Sequence, residues 1–250
     1  MPVAVIGQDV RSLLERKGAA VYAAIGPRAL QELVDADVSA PTLSLFASNE
    51  AYTRIKATTR PERRHEVLTA IYAEASPQQQ MHLIRELYKR RLLVGIMLTM
   101  ATAHMQSLLE QAARNNDLAL QVRLLDADEQ PLHAMSKMAE CKVLLMVPDR
   151  NLYTADNLRY ILESAYRRGQ GVIGFSGELV RAGTVAGAYA SIDDIAAQAS
   201  KVLGDLAAGR IVGEQYPEYW RVQINDRVAR SLNLVVEDST YSLGNAAPAP

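Results

Sequence analysis

The chain predicts an α/β fold built on parallel sheets in two lobes, and three features carry that expectation. Apolar runs of about five to seven residues alternate with amphipathic stretches almost without interruption, as successive βα units require. Small polar residues and glycines stand where the runs end. Ten such runs in 250 residues are many for one doubly wound sheet, so two Rossmann-like lobes are the easier packing.

In chain order, strands are expected near 3–6, 20–25, 42–46, 67–73, 93–98, 119–125, 142–147, 171–175, 184–189 and 219–224. Helices fall between them, near 8–17, 27–36, 49–57, 77–89, 103–115, 129–139, 155–168, 191–208 and 226–232. Ser76 and Pro77 suit the N-cap and first turn of a helix. The basic runs Lys89-Arg90-Arg91 and Arg167-Arg168-Gly169 close helices, where cations meet the negative dipole end and glycine can follow. Val143 to Val147 and Val172 to Phe175 read as buried strands, and between them Leu158, Ile161, Leu162 and Ala165 form the core-facing stripe of a helix. Asp193-Asp194 open another helix, where they offset its dipole and can cap it.

The lobes are expected to divide as 1–75 plus 183–238 and 76–182, with the chain crossing after Thr69 to Glu74, near Ala182-Gly183-Thr184, and again within 209–217. The stretch 239–250 has little to bury and is expected to be disordered.

A net charge of -1 and a pI near 6.4 give no electrostatic case for a nucleic-acid partner. The single cysteine, Cys141, excludes an intrachain disulfide and reads as a small core residue. No run of 18 apolar residues offers a membrane span, and Met1 to Ile6 is too short for a secretory signal. Phosphate-loop and dinucleotide glycine motifs are absent, so no cofactor is expected. Gly174-Phe175-Ser176-Gly177-Glu178 approaches a nucleophile elbow but has Glu at its final glycine position. His65, His82, His104 and His133 all precede Ser176, against the Ser…Asp…His order, and none has metal-ligand spacing. No catalytic and no metal residue is assigned.

Ligands of parallel α/β sheets bind outside the carboxyl ends of the strands. The candidates at such ends are Gly26, which can bring backbone amides to a ligand, and Ser48 and Asn49. Asp149, which could accept an ammonium group, stands with Asn151 and Tyr153 after the 142–147 strand. Ser176 and Gly177 follow the next strand, and Tyr189 and Ser191 follow the one after it. Turn formation and helix capping remain open for each.

Several segments, in fixed order, resemble one family. Glu178 to Tyr189 is similar to the "(M)VKAGALA" segment of ABC-transporter substrate-binding proteins related to the tryptophan-type binding proteins. Gly26-Pro27-Arg28-Ala29-Leu30 matches a glycine turn into a helix, Phe46 to Glu50 a "(V)SDP" loop, and Asn225 to Leu232 the closing "N…A..LGI" segment. The resemblance spans roughly residues 20–236 and implies a type I periplasmic-binding-protein-like fold with hinge closure. It further implies capture of a small, amino-acid-like solute, an ABC permease as partner and a periplasmic location. A ligand-sensing regulatory domain of the same fold is the alternative, and an α/β hydrolase a weaker one. That family begins one βα unit before the 3–6 strand, so a start downstream of the natural one, a vacant central slot in the first sheet and self-association through that edge are expected.

Overall fold

The computed structural model of the chain describes residues 3–6, 21–59 and 68–248, so the helix expected over 8–17 lies outside the described residues. The chain divides into two compact units. The first comprises Met1–Glu74, Ala190–Trp220 and Ala246–Pro250, and the second Ala75–Tyr189 and Arg221–Asn245.

In the first unit, β1 (Val3–Ile6), β2 (Val21–Ile25), β3 (Thr42–Leu45) and β4 (Leu68–Ile71) form a parallel sheet in that order. Strands buried on both faces read as continuous apolar runs, and the two faces of β2 show the covering. Tyr22 and Ala24 pack with Ala29, Leu30 and Leu33 of α1 (Gly26–Asp35) and Ala51, Tyr52 and Ile55 of α2 (Asn49–Thr58). Ala23, on the opposite face, packs with residues of the helix Ile192–Ala207. In that helix Ile195, Ala199 and Val202 recur at i, i+4 and i+7, so one stripe covers the sheet.

The second unit holds a seven-stranded sheet. Its strands are β5 (Leu93–Leu98), β6 (Ala119–Leu124), β7 (Val143–Leu145), β8 (Gly171–Gly174), β9 (Ala186–Tyr189), β10 (Trp220–Ile224) and β11 (Gly244–Asn245), in the order β11-β10-β9-β8-β7-β5-β6. β5 to β9 run parallel, and β10 is antiparallel to β9. Helices α3 (Pro77–Tyr88), α4 (Gln106–Asn115), α5 (Pro131–Ser136), α6 (Ala155–Arg167) and α7 (Gly177–Ala182) punctuate the parallel strands. The Ile192–Ala207 helix is then α8, and α9 (Asp226–Ser231) and α10 (Asp238–Tyr241) complete the set. α3 starts at Ser76 with a reciprocal capping box to Gln79 and with Pro77 in its first turn. Cys141 is buried in the core cluster with Leu144, Met146 and Ile161.

Three expectations are corrected. β1 pairs directly with β2, from Val3 opposite Val21 to Ile6 opposite Ala24, so the central slot expected beside β1 is closed. Residues 183–189 and 221–238, expected in the first lobe, belong to the second unit, because β9 completes its ladder on β8 and β10 on β9. Of the stretch 239–250, expected to be disordered, residues 239–248 are described and contribute the end of α10 and the short strand β11, and Ala247 N–H donates to Asp194 Oδ1 at 2.9 Å. Asp194 tethers it with one carboxylate oxygen while the other completes a capping box with Ser191.

Gly95, central in β5, marks where packing tolerates no side chain. A Cβ there would lie 2.8 Å from both Leu144 Cδ2 and Met138 Cε and 2.9 Å from Cys141 Sγ. Gly95→Ala is therefore expected to cost about 1–3 kcal/mol, read from urea unfolding, and an unchanged midpoint would show that the core gives way freely.

Candidate functional site

In the second sheet the chain leaves β5 for β6 on one side and later returns to β7 on the other, which makes the β5/β7 junction a topological switch point. Ligands of open parallel sheets bind in the crevice outside the carboxyl ends at such a point. Among the described strands of the first unit the order follows the chain, with no reversal.

Asp149 organises this crevice. It is 5% exposed and accepts four hydrogen bonds. Oδ2 takes the hydroxyls of Thr99 at 2.5 Å and Thr102 at 3.2 Å, both from the loop after β5. Oδ1 takes the backbone N–H groups of Asn151 at 2.9 Å and Leu152 at 3.1 Å, from its own loop. The carboxylate thus pins the two switch-point loops together, and its acceptors are spent within the protein rather than held open for an ammonium group. Thr99 and Thr102 were not among the candidates; hydroxyls spaced three apart directly after an apolar strand are the signal for them.

Beside this clamp opens a cavity of about 360 Å³, lined by the loops after β5, β6 and β7 and the start of α5. Its volume falls in the range of small-molecule pockets. Met100, Asp126, Asn151 and Leu152 are on its wall. Tyr153, one turn further, donates its N–H to Asp149 O at 3.1 Å, and its ring tilts against Phe175 at 6.2 Å. Burial, reinforced by the Asp149 charge, raises its phenol above the usual range.

Ser176 caps α7, accepting the Leu179 N–H at 3.3 Å. A Cβ on Gly177 would fall 2.7 Å from Gln223 Oε1, so the end of that flexible β10 side chain lies directly against the start of α7. Nothing in the sequence around Gln223 signals this approach, which depends on β10 joining this sheet. Tyr189 ends β9 opposite Arg221, half-buried.

The remaining candidates stand at the strand ends of the first unit. Gly26 opens α1 with a φ of 85°, a left-handed conformation that favours glycine. Ser48 caps α2 through a 3.1 Å bond from Ala51 N–H, and Ser191 caps α8. Asn49 N–H donates to Glu74 Oε1 at 2.9 Å.

Glu74 is a group the sequence candidates omitted, although an acid closing the apolar β4 run is itself a signal. It is 4% exposed, and its Oε2 is buried with no hydrogen-bond partner. Around it Tyr72 packs edge-on against Tyr52 at 5.8 Å and against Tyr216 at 4.8 Å. Burial pushes the Glu74 carboxyl up to about 7, with the Asn49 N–H opposing and the Glu50 charge adding to the rise. Among the described residues no group of three or more His, Cys, Asp or Glu side chains is placed to hold a metal ion.

Comparison with solved structures places the fold. No family model matches the sequence, and no curated protein matches it. The ABC domain from Streptococcus pneumonia in complex with L-Trp is similar to the chain over 92% of its length and 81% of that protein's, with a TM-score of 0.64 at 15% identity. The chain has the fold of the ABC substrate-binding proteins. A conserved domain protein from Vibrio cholerae aligns with a TM-score of 0.64 at 17% identity, covering 93% of this chain and 79% of that one. The ligand-free, open substrate-binding protein CD0873 from Clostridium difficile, described as having adhesive properties, gives 0.61 at 14% identity, covering 89% and 77%. This is the type I periplasmic-binding-protein-like class that the segment resemblance implies.

The raised Glu74 pKa makes a pH prediction. Between about 4.5, the ordinary carboxyl value that the unfolded chain keeps, and about 7, folded Glu74 holds a proton that the unfolded chain has released, so stability falls as pH rises through that window. Above it the cost is complete, about 3 kcal/mol at most. Glu74→Gln keeps an acceptor for Asn49 N–H and removes the charge. Its thermal midpoint is expected to match the parent near pH 4.5 and exceed it at pH 8, and a difference that does not vary with pH would contradict this account.

Proposed function

We propose that this chain is a solute-binding protein that captures a small, amino-acid-like organic solute and presents it to an ABC-type permease outside the cytoplasm. The observation that carries the reading is the cavity of about 360 Å³ at the β5/β7 switch point, in a chain with the substrate-binding-protein fold. A binding protein needs a concave site with a few fixed polar groups and no covalent chemistry, and the Asp149 clamp supplies rigidity to the loops that form it. In this reading Asn151 meets the solute with its carboxamide and Tyr153 backs the loop that presents it. Ser48, Ser176 and Ser191 hold helix ends in place. Among the described residues no helix is long and apolar enough to cross a membrane, so a separate permease would carry the solute through the bilayer.

A thermal-shift panel of amino acids and related metabolites should give at least one saturable rise in melting temperature, fitted by one site per chain. Asn151→Ala should weaken that ligand about fivefold, the loss of roughly one hydrogen bond, without moving the unliganded midpoint. A flat panel, or a ligand indifferent to Asn151→Ala, removes the support for this site.

A further inference from the structure

The two edges of the second sheet are unlike. β11, at one end, is two residues long, and in the first unit Gln215 covers β4, its N–H donating to Ala70 O at 2.9 Å and its carbonyl accepting the Tyr72 N–H at 3.0 Å. Short edges and covered edges are protections against pairing with another chain. β6, at the opposite end, is a strand of 6 residues with no proline, glycine or break in its register, and its ladder partner is β5 alone. Its other side is open. Ala119 N–H donates to Leu92 O at 3.0 Å and Leu125 N–H to Leu98 O at 2.8 Å. Backbone groups alternate sides along a strand, so Ala119, Gln121 and Arg123 turn theirs toward β5 while Leu120, Val122 and Leu124 turn theirs outward. Among the described residues no backbone or side-chain group bonds these outward N–H and C=O groups.

We propose that the β6 edge pairs antiparallel with the same edge of a second copy of the chain, about a two-fold axis at Val122. The register is self-complementary. Val122 meets Val122 of the second copy and Leu120 meets its Leu124, so every outward N–H and C=O of these residues falls in a hydrogen-bonded pair. Opposed residues of an antiparallel pair lie on the same side of the sheet, which brings Leu120, Val122 and Leu124 of both copies into one apolar row. On the other side Gln121 faces Arg123 of the second copy, so no like charges are opposed. Arg123 is neutralised within its own chain, where Nη2 donates to both Glu129 oxygens at 2.9 and 3.0 Å, and it therefore does not guard the edge as a free cation would. Leu124, 44% exposed in the single chain, is covered by Leu120 of the second copy. A strand of unrelated sequence would find the same backbone groups without this matched row, which favours a second copy as the occupant. The pairing is independent of what the cavity binds.

Two strands of this length bury less than the roughly 1,200 Å² of a standard interface, so a reversible dimer with a Kd on the order of 100 µM is expected. Sedimentation velocity of the full chain, from dilute solution to several times that concentration, should show a monomer shifting to a dimer. Val122→Pro removes one outward N–H and leaves the bonds to β5 made, as an edge proline does, and Leu124→Lys sets a charge in the apolar row. Both are expected to stay monomeric with cooperative thermal unfolding retained. Cysteine cross-linking reads the register, since Cys141 is buried. Val122→Cys should give a disulfide-linked dimer on mild oxidation, because a hydrogen-bonded pair sets its Cα atoms about 5.5 Å apart. Leu124→Cys, although more exposed, should not, since its counterpart lies at the far end of the paired strands. A parent chain that remains monomeric throughout overturns the inference. So does a dimer that Leu124→Lys leaves intact, or a Leu124→Cys chain that cross-links as fast as Val122→Cys, and these two readings decide the matter even if Val122→Pro fails to fold.

Discussion

The Asp149 carboxylate is the constraint on which the switch-point crevice depends. A loop that ends a buried strand must satisfy its backbone donors, and two loops that flank a cavity cannot borrow each other's strands to do so. One buried carboxylate meets both needs, with an oxygen for the hydroxyls of the β5 loop and an oxygen for the N–H groups of the β7 loop. Because both of its oxygens accept hydrogen bonds, the group holds the two loops to one another. Its neighbour Asn151 is left exposed on the cavity wall.

The same economy explains why small polar residues at strand ends are ambiguous. Ser48, Ser176 and Ser191 each accept a backbone N–H from the first turn of the following helix. A helix N-terminus leaves four donors unpaired, and the residue that caps it occupies the position from which a ligand would be reached. Capping and ligand binding therefore select the same residue types at the same places in the chain. Gly177 differs, since it lies against the end of the Gln223 side chain.

Glu74 shows the opposite case, an acid whose surroundings leave one oxygen unanswered. It couples the end of β4 to the start of α2 through Asn49 N–H, and the tyrosine cluster around it excludes the water that would stabilise its charge. Below its shifted pKa the group is neutral and its burial costs little. At higher pH the charge in that apolar setting becomes a standing cost of the fold.

What the sequence determined by itself is local: the apolar runs that become strands, the amphipathic stripes of α6 and α8, the capping box at Ser76, and the switch from strand to helix at Gly26 and Ser176. These follow from residue period, capping chemistry and φ preference, which act over a few neighbours. Only tertiary structure decided which strands meet. β1 closes on β2, β9 and β10 extend the second sheet, and Ala247 is tethered at Asp194, because backbone ladders and buried carboxylates are satisfied by partners distant along the chain. The roles of Asp149 and Glu74 were hidden for the same reason. A carboxylate carries no sign in the sequence of whether it will face a solute, a pair of threonines or a ring of tyrosines, since that depends on what the fold brings to it.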